Sequence, residues 1–332
     1  MSTLILIFAT ALVCAVSVTP LARRLALHTG FLDHPNARKI HRGPIPRLGG
    51  VAIYGACILA LILFADRFYV PQMVGIVIGA TWVSFLGLWD DRVGLPAGLK
   101  LVGQIAGALI LVVTGVTVEL APYLLVNAAI TVFWVIGITN AMNLLDNMDG
   151  LAGGVAAIAA AFFLLLAAQN GQYLVGSLSA ALLGAAIGFL IYNFNPARVF
   201  MGDTGSLFIG FLLAAVGIKL RFLNLPVTAT WFIPILVLGL PIFDTTLVFI
   251  SRLRRGMNPL THPGTDHTSH RLVARGLTRR EAVLTLYLVS GALGVFAMFC
   301  AQGSLTANYL MLAMVAATAL LALYELEFRK RE

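Results

Sequence analysis

Apolar residues run along this chain in long, uniform blocks separated by short polar stretches. A membrane-crossing helix needs roughly 20 such residues, fewer where the helix is short or the bilayer thin. Eleven blocks qualify, at about 3–21, 49–65, 70–89, 100–116, 122–140, 151–168, 173–191, 205–219, 229–250, 282–301 and 305–324. Barrel strands would alternate in polarity, and these blocks do not. The pattern predicts an all-α integral membrane protein, a multi-pass bundle of about 11 transmembrane helices. The first block lacks a basic leading segment and an obvious cleavage site, so it reads as a retained span and not a signal peptide. With no soluble insertion, low-complexity segment or internal repeat, residues 1–332 are expected to form a single polytopic membrane domain.

Composition supports the same class. The chain is 60% hydrophobic and 11% charged, against about 25% charged in soluble domains. Cys14, Cys57 and Cys300 lie in apolar runs without metal-ligand spacing and read as small packed hydrophobes. A net charge of +8 would suggest nucleic acid in a soluble protein; here its placement matters more, and no nucleic-acid partner is expected. Alternating the connections between eleven spans puts 19 of the 22 basic residues on one side and leaves Arg67, Lys219 and Arg221 on the other. Basic residues concentrate in cytoplasmic loops. The amino terminus is therefore predicted outside and the carboxyl terminus inside, with the basic loops also suited to anionic lipid.

The same alternation gathers the unusual polar clusters on the cytoplasmic side, in loops at about 22–48, 90–100, 140–150, 193–205 and 251–280. One composite site at the inner membrane surface is expected. A transporter of an anionic solute is the rival reading, but its polar residues would sit nearer the midplane, where Asp244 comes closest.

The stretch 140–154, NAMNLLDNMDGLAGG, is the most polar island in the apolar chain. Ionisable groups at membrane depth are costly and persist mainly where they serve a function. Asn140, Asn143, Asp146 and Asp149 recur every three residues, a spacing that on a helix forms one stripe. Such carboxamides and carboxylates can read a nucleobase edge or complete a metal's ligand shell. Gly150, Gly153 and Gly154 would let another backbone approach. Asp90 and Asp91 end the third block, and adjacent helical residues point about 100° apart, so they are expected to act differently. The pair suits Mg²⁺ or a polar headgroup. Lys100 could reach back to a phosphate or snorkel to the interface. Asp203, between Gly202 and Gly205, is a further metal-ligand candidate beside amides able to cradle an anion. Phe200 could stack on a base or anchor the interface. His267 and His270, with Arg271, suit a phosphate clamp better than zinc. Lys39, with Arg38, His41 and Arg47, suits either anion binding or membrane anchoring. Asp244 should have a partner at its depth, and Arg252 is the nearest basic candidate in sequence.

Together these stretches resemble the polyprenyl-phosphate N-acetylhexosamine-1-phosphate transferases, glycosyltransferase family 4, and more closely their WecA/TagO-like branch than the related phospho-MurNAc-pentapeptide transferase (MraY-like) branch. The resemblance runs from about residue 33 to 276 in five ordered motifs: DxPxxRKxHxxPxPRxGG, DDRxGLxxxxK, NxxNxxDNxDGLA, FMGDTGSLFxG and HxxHR. The PRLGG form favours the WecA/TagO side. Ser269 occupies the middle position where those enzymes often carry histidine. The resemblance implies Mg²⁺, with Mn²⁺ able to substitute, on Asp203 with Asn143 nearby. It implies uracil contacts from Phe200 and Asp149, with Asn193 close to the nucleoside, Asn140 nearest the metal and phosphates and Lys39 among the substrate contacts. Lys100 would stabilise the diphosphate, and Asp90 and Asp91 would face the lipid phosphate. Asp146 belongs to the same phosphate and metal neighbourhood, and His267, His270 and Arg271 would hold phosphate or sugar. The implied substrates are a UDP-sugar, UDP-N-acetylglucosamine first, and undecaprenyl phosphate. UMP would leave and a lipid-linked sugar diphosphate would initiate cell-envelope glycan synthesis, such as lipopolysaccharide or teichoic acid. The implied setting is the bacterial inner (plasma) membrane, with the active site on its cytoplasmic face and a homodimer as plausible assembly.

Overall fold

A computed structural model describes residues 2–33, 43–64, 70–222, 225, 227–259 and 264–329. In order come α1 (Ser2–Thr29), β1 (Leu32–Asp33), β2 (Ile45–Pro46), α2 (Gly49–Leu63), α3 (Val70–Val93), α4 (Ala97–Val113) and α5 (Leu124–Leu145). Then follow α6 (Leu151–Gln169), α7 (Tyr173–Asn193), α8 (Gly202–Lys219), α9 (Val227–Thr230), α10 (Phe232–Val237), α11 (Gly239–Arg254), α12 (Thr268–Val273), α13 (Arg279–Gln302) and α14 (Leu305–Glu327). Lys39 lies outside the described residues.

The protein is an all-α multi-pass membrane protein. Eight helices, α1, α3, α5, α6, α7, α8, α13 and α14, are long and apolar enough to cross a bilayer, while α2 and α4 are shorter apolar helices. The block expected as one span at 229–250 is three pieces, α9, α10 and α11. Pro234 and Pro241 explain the breaks. Neither has an N–H to donate to the carbonyl four residues earlier, and each ring crowds that carbonyl. A two-residue antiparallel ribbon, with Leu32 opposite Pro46 and Asp33 opposite Ile45, closes the first long loop. Periodicity could not foresee so short a ribbon.

The middle of the bundle is α8. It is apolar on every side, as a fully surrounded helix must be. Its most apolar window is 89% buried, against 0% for α14, and α2, α3, α5, α6 and α7 pack around it. Small residues permit the closest approaches, as in other membrane bundles. A Cβ on Gly50 of α2 would collide with the Gly205 backbone, and one on Gly87 of α3 with the backbone of Asp203. These contacts bring three helices together at the amino-terminal end of α8, where Asp203 sits.

Candidate active site

The floor of the site is built on that helix end. Gly202 has φ +64, and a Cβ there would run into the Asp91 carboxylate. Glycine meets both demands. The Asp91 oxygens accept the Asp203 and Thr204 amides at 3.0 Å each and the Thr204 hydroxyl at 2.9 Å. The anion cradle read around Asp203 therefore exists, and Asp91 occupies it. A carboxylate at a helix amino terminus also meets the positive end of the dipole. Arg47 Nη2 closes the group at 3.0 Å from Asp91. Arg47 also lies 3.4 Å from Asp33 and 4.0 Å from Asp203. Burial works against its charge, yet Asp91, Asp33 and Asp203 together raise its pKa.

Asp90 turns elsewhere, as its 100° offset requires. It accepts the Leu95 amide at 2.6 Å and pairs with Lys100 Nζ at 3.0 Å. Lys100 is also bonded to Asp203 Oδ2, and its ammonium lies 3.4 Å from the Asn143 carboxamide oxygen. Asn143 Nδ2 donates to Asp203 Oδ1 at 3.1 Å and to Ser206 Oγ at 2.8 Å. Asp90, Lys100, Asn143, Asp203, Asp91 and Arg47 thus form one continuous charge network drawn from α3, α4, α5, α8 and the end of the first loop.

The expected stripe through 140–149 ends early. Helix α5 stops at Leu145 with Asp146 as its C-cap, and Gly150 begins α6 in the left-handed region at φ 79°. Asn140 stays inside the bundle, paired with Gln104 through bonds of 2.6 and 3.2 Å. Asp149 is held from the 193–200 segment by Asn195 Nδ2 and the Ala197 amide, both at 3.0 Å. Asn193 ties the two segments together, accepting the Gly150 amide at 3.1 Å and donating to the Val199 carbonyl at 2.9 Å. Gly154 admits Tyr287 of α13, whose hydroxyl donates to the Gly150 carbonyl at 2.5 Å. Asp146 sits among carboxylates. Burial first, then Asp203, pushes its pKa up to about 7.

A cavity of about 870 Å³ opens over this floor, lined by Arg47, Asn143, Asp146, Asn147, Asp149, Asn193, Phe200, Asp203, His270 and Arg279, among others. Ligand clefts of roughly 300–1,000 Å³ are usual. His270 faces it, and burial followed by its neighbour His267 lowers its pKa. His267 and Arg271 do not line it. His267 is bonded to Asp244 at 2.8 Å. The Arg271 guanidinium binds the Asp266 and Leu326 carbonyls, Ser251 Oγ and Glu327. Of the three residues expected to form a clamp, only His270 lines the cavity, because the His267 and Arg271 side chains are turned into the protein. Asp244 pairs with His267 and not with Arg252, which instead meets Asp266 at 3.2 Å. Sequence reasoning passed over Arg47 as one basic residue among several; its place two residues before the Gly49–Gly50 helix start was the available signal. Arg279 and Thr204 carried none.

The model of glycosyl transferase family 4 matches residues 73–221, a range that holds Asp90, Lys100, Asn143 and Asp203. A protein of Bacillus subtilis named as a probable undecaprenyl-phosphate N-acetylglucosaminyl 1-phosphate transferase is 37% identical over 86% of this chain and 82% of its own. The decaprenyl-phosphate N-acetylglucosaminephosphotransferase of Mycolicibacterium smegmatis is 33% identical over 87% of this chain and 80% of its own. The undecaprenyl-phosphate alpha-N-acetylglucosaminyl 1-phosphate transferase of Escherichia coli K12 is 28% identical over 88% and 83%. At that identity and coverage, the chain belongs to glycosyl transferase family 4.

Proposed function

We propose that this protein transfers N-acetylglucosamine 1-phosphate from UDP-N-acetylglucosamine to undecaprenyl phosphate on the cytoplasmic face of a bacterial membrane, releasing UMP. The observation that carries the reading is the Asp203–Lys100–Asp90 network, with Asn143 and Arg47, at the floor of a cavity large enough for a nucleotide sugar. The names of the relatives support the lipid acceptor and the sugar phosphate. We further propose a single polytopic domain of eleven crossings with the amino terminus outside and the carboxyl terminus inside. Here α2, α4 and the broken α9–α11 segment cross as well, and 19 of the 22 basic residues lie inside.

The reaction forms a bond between an oxygen of the lipid phosphate and the β-phosphorus of the donor. It breaks the bond from that phosphorus to the oxygen bridging to the α-phosphorus, and UMP leaves. Such transfers depend mostly on positioning and on neutralising charge. A phosphate monoester with second pKa near 6 is largely dianionic at pH 7 and needs little help from a base. The residues agree with that demand. Asp91 already accepts four bonds, from two amides, a hydroxyl and Arg47, so its role is to fix the α8 end. Asp90 holds Lys100, and Lys100 supplies the cation nearest Asp203. Phe200 and Asp149 also line the cavity as candidates for the base, and His270 and Arg279 add polar groups to its wall.

Among the described residues no three His, Cys, Asp or Glu side chains are grouped to enclose a metal. That fits Mg²⁺, which takes one or two carboxylates and completes its shell with water and phosphate oxygens. Asp203, with Asp90 and the Asn143 carboxamide beside it, is the hard-oxygen set that would hold it, and Mn²⁺ should substitute. The ion would neutralise charge on the diphosphate. The purified protein with Mg²⁺ should release UMP from UDP-N-acetylglucosamine only when a polyprenyl phosphate is present. Lipid-independent release would overturn the reading.

A further inference from the structure

His270 reaches the cavity from a helix too short to fix its own direction. Helix α12 has six residues, and isolated helices of that length are unstable in water. Its N-cap, His267, makes no side-chain cap to it. The cap comes from another helix. Asp244 of α11 accepts the Thr268 amide on Oδ1 at 2.6 Å and meets His267 Nδ1 on Oδ2 at 2.8 Å. Asp244 is 1% exposed and His267 5%. A buried carboxylate needs such partners to be tolerated, and here both belong to the start of α12. A carboxylate can only accept, so Nδ1 of His267 carries the hydrogen and the ring is set in one tautomer and one orientation.

Two further ties complete the mounting. Ser269 Oγ donates to Asn147 Oδ1 at 2.6 Å, joining α12 to the α5–α6 turn. Arg271 joins it to Ser251 of α11 and to the last turn of α14. His270, one residue from each of these anchors, lines the cavity. Its ring centroid is 6.2 Å from that of His267.

We infer that Asp244 is a positioning residue: by capping α12 and clamping His267 it sets the register in which His270 faces the bound substrates. The kinetic consequence rests on the transferase reading, whereas the mounting itself does not. Two measurements separate them. In the full-length protein, diethyl pyrocarbonate labelling read by peptide mass spectrometry should find His267 protected. Asp244→Ala should raise its labelling severalfold, and Asp244→Ser replaces that variant if it does not fold. Unchanged His267 labelling overturns the mounting whether or not the protein is a transferase. For the kinetics, Asp244→Asn keeps the shape and an acceptor for the Thr268 amide but loses the charge facing His267. It should lower kcat for UMP release by about tenfold or more, since small misplacements at a reacting centre are costly. KM for the UDP-sugar should stay within about twofold. Added to His270→Gln, the same change should cost less than about twofold more, because the two act through one group. Wild-type kcat for Asp244→Asn, or the same fold loss in the His270→Gln background, overturns the inference. Where His270→Gln has no measurable activity, the labelling decides.

Discussion

The floor of the cavity and its histidine edge reach order by opposite means. The floor is dense in charge and rests on long helices. Asp203 begins α8, the most enclosed helix of the bundle, and α2 and α3 approach it across Gly50 and Gly87. Asp90, Asp91, Asp203, Lys100 and Arg47 are already paired there with one another. The edge is a six-residue helix suspended from Asp244, Asn147 and α14 by side-chain bonds. Side chains rooted in packed helices are held by many contacts at once, whereas a suspended helix is held by a few bonds, each of which can be removed singly. The floor should therefore fail abruptly when altered and the edge by degrees.

That contrast is sharpest at Asp203. Asp203→Ala removes the acceptor of Lys100 and Asn143 and the proposed metal ligand together. UMP release should fall by about 10²-fold or more, and near-wild-type turnover with unchanged Mg²⁺ dependence would place the metal elsewhere.

Asp146 offers a middle-sized test. With its pKa pushed up to about 7 from the usual 3.8, the folded protein keeps a proton there that the unfolded chain has released. Stability at this site therefore declines as pH rises through that window. Asp146→Asn removes the decline. Without added divalent cation, the variant's gain in Tm over wild type should be wider at pH 8 than at pH 5; an equal gain at both would mean that Asp146 is ionised across the range.

The smallest effect belongs to the edge. Ser269→Ala removes one hydrogen bond to Asn147, worth about 0.5–1.5 kcal/mol. Activity should drop by no more than about tenfold with Mg²⁺ affinity unchanged. A loss as large as that of Asp203→Ala would erase the distinction between floor and edge.

Much of the site was legible in sequence because its chemistry is out of place there. Asp90, Asp91, Lys100, Asn143, Asp146, Asp149 and Asp203 stand out against apolar blocks; Asn143, Asp146, Asp149 and Asp203 line one cavity, and Asp90, Asp91 and Lys100 join it through their bonds to Asp203 or to each other. What misled was the extension of a local pattern. The three-residue spacing through 140–149 implied one stripe, yet α5 ends at Leu145 and Asn140 is left facing Gln104. His267, His270 and Arg271 are neighbours in sequence, but a tight helix points them in different directions, and only His270 lines the cavity.

Hydropathy by itself determined the membrane class, because transfer of a long apolar helix into lipid depends on its own residues. It also marked where polar chemistry had to lie. Partnership was decided by tertiary structure. Asp91 meets amides 112 and 113 residues away, Lys100 meets a carboxylate 103 residues on, and Asp244 chooses His267 over the expected Arg252. Hydrogen bonds and ion pairs act over a few ångströms in space, and separation along the chain carries no record of that distance.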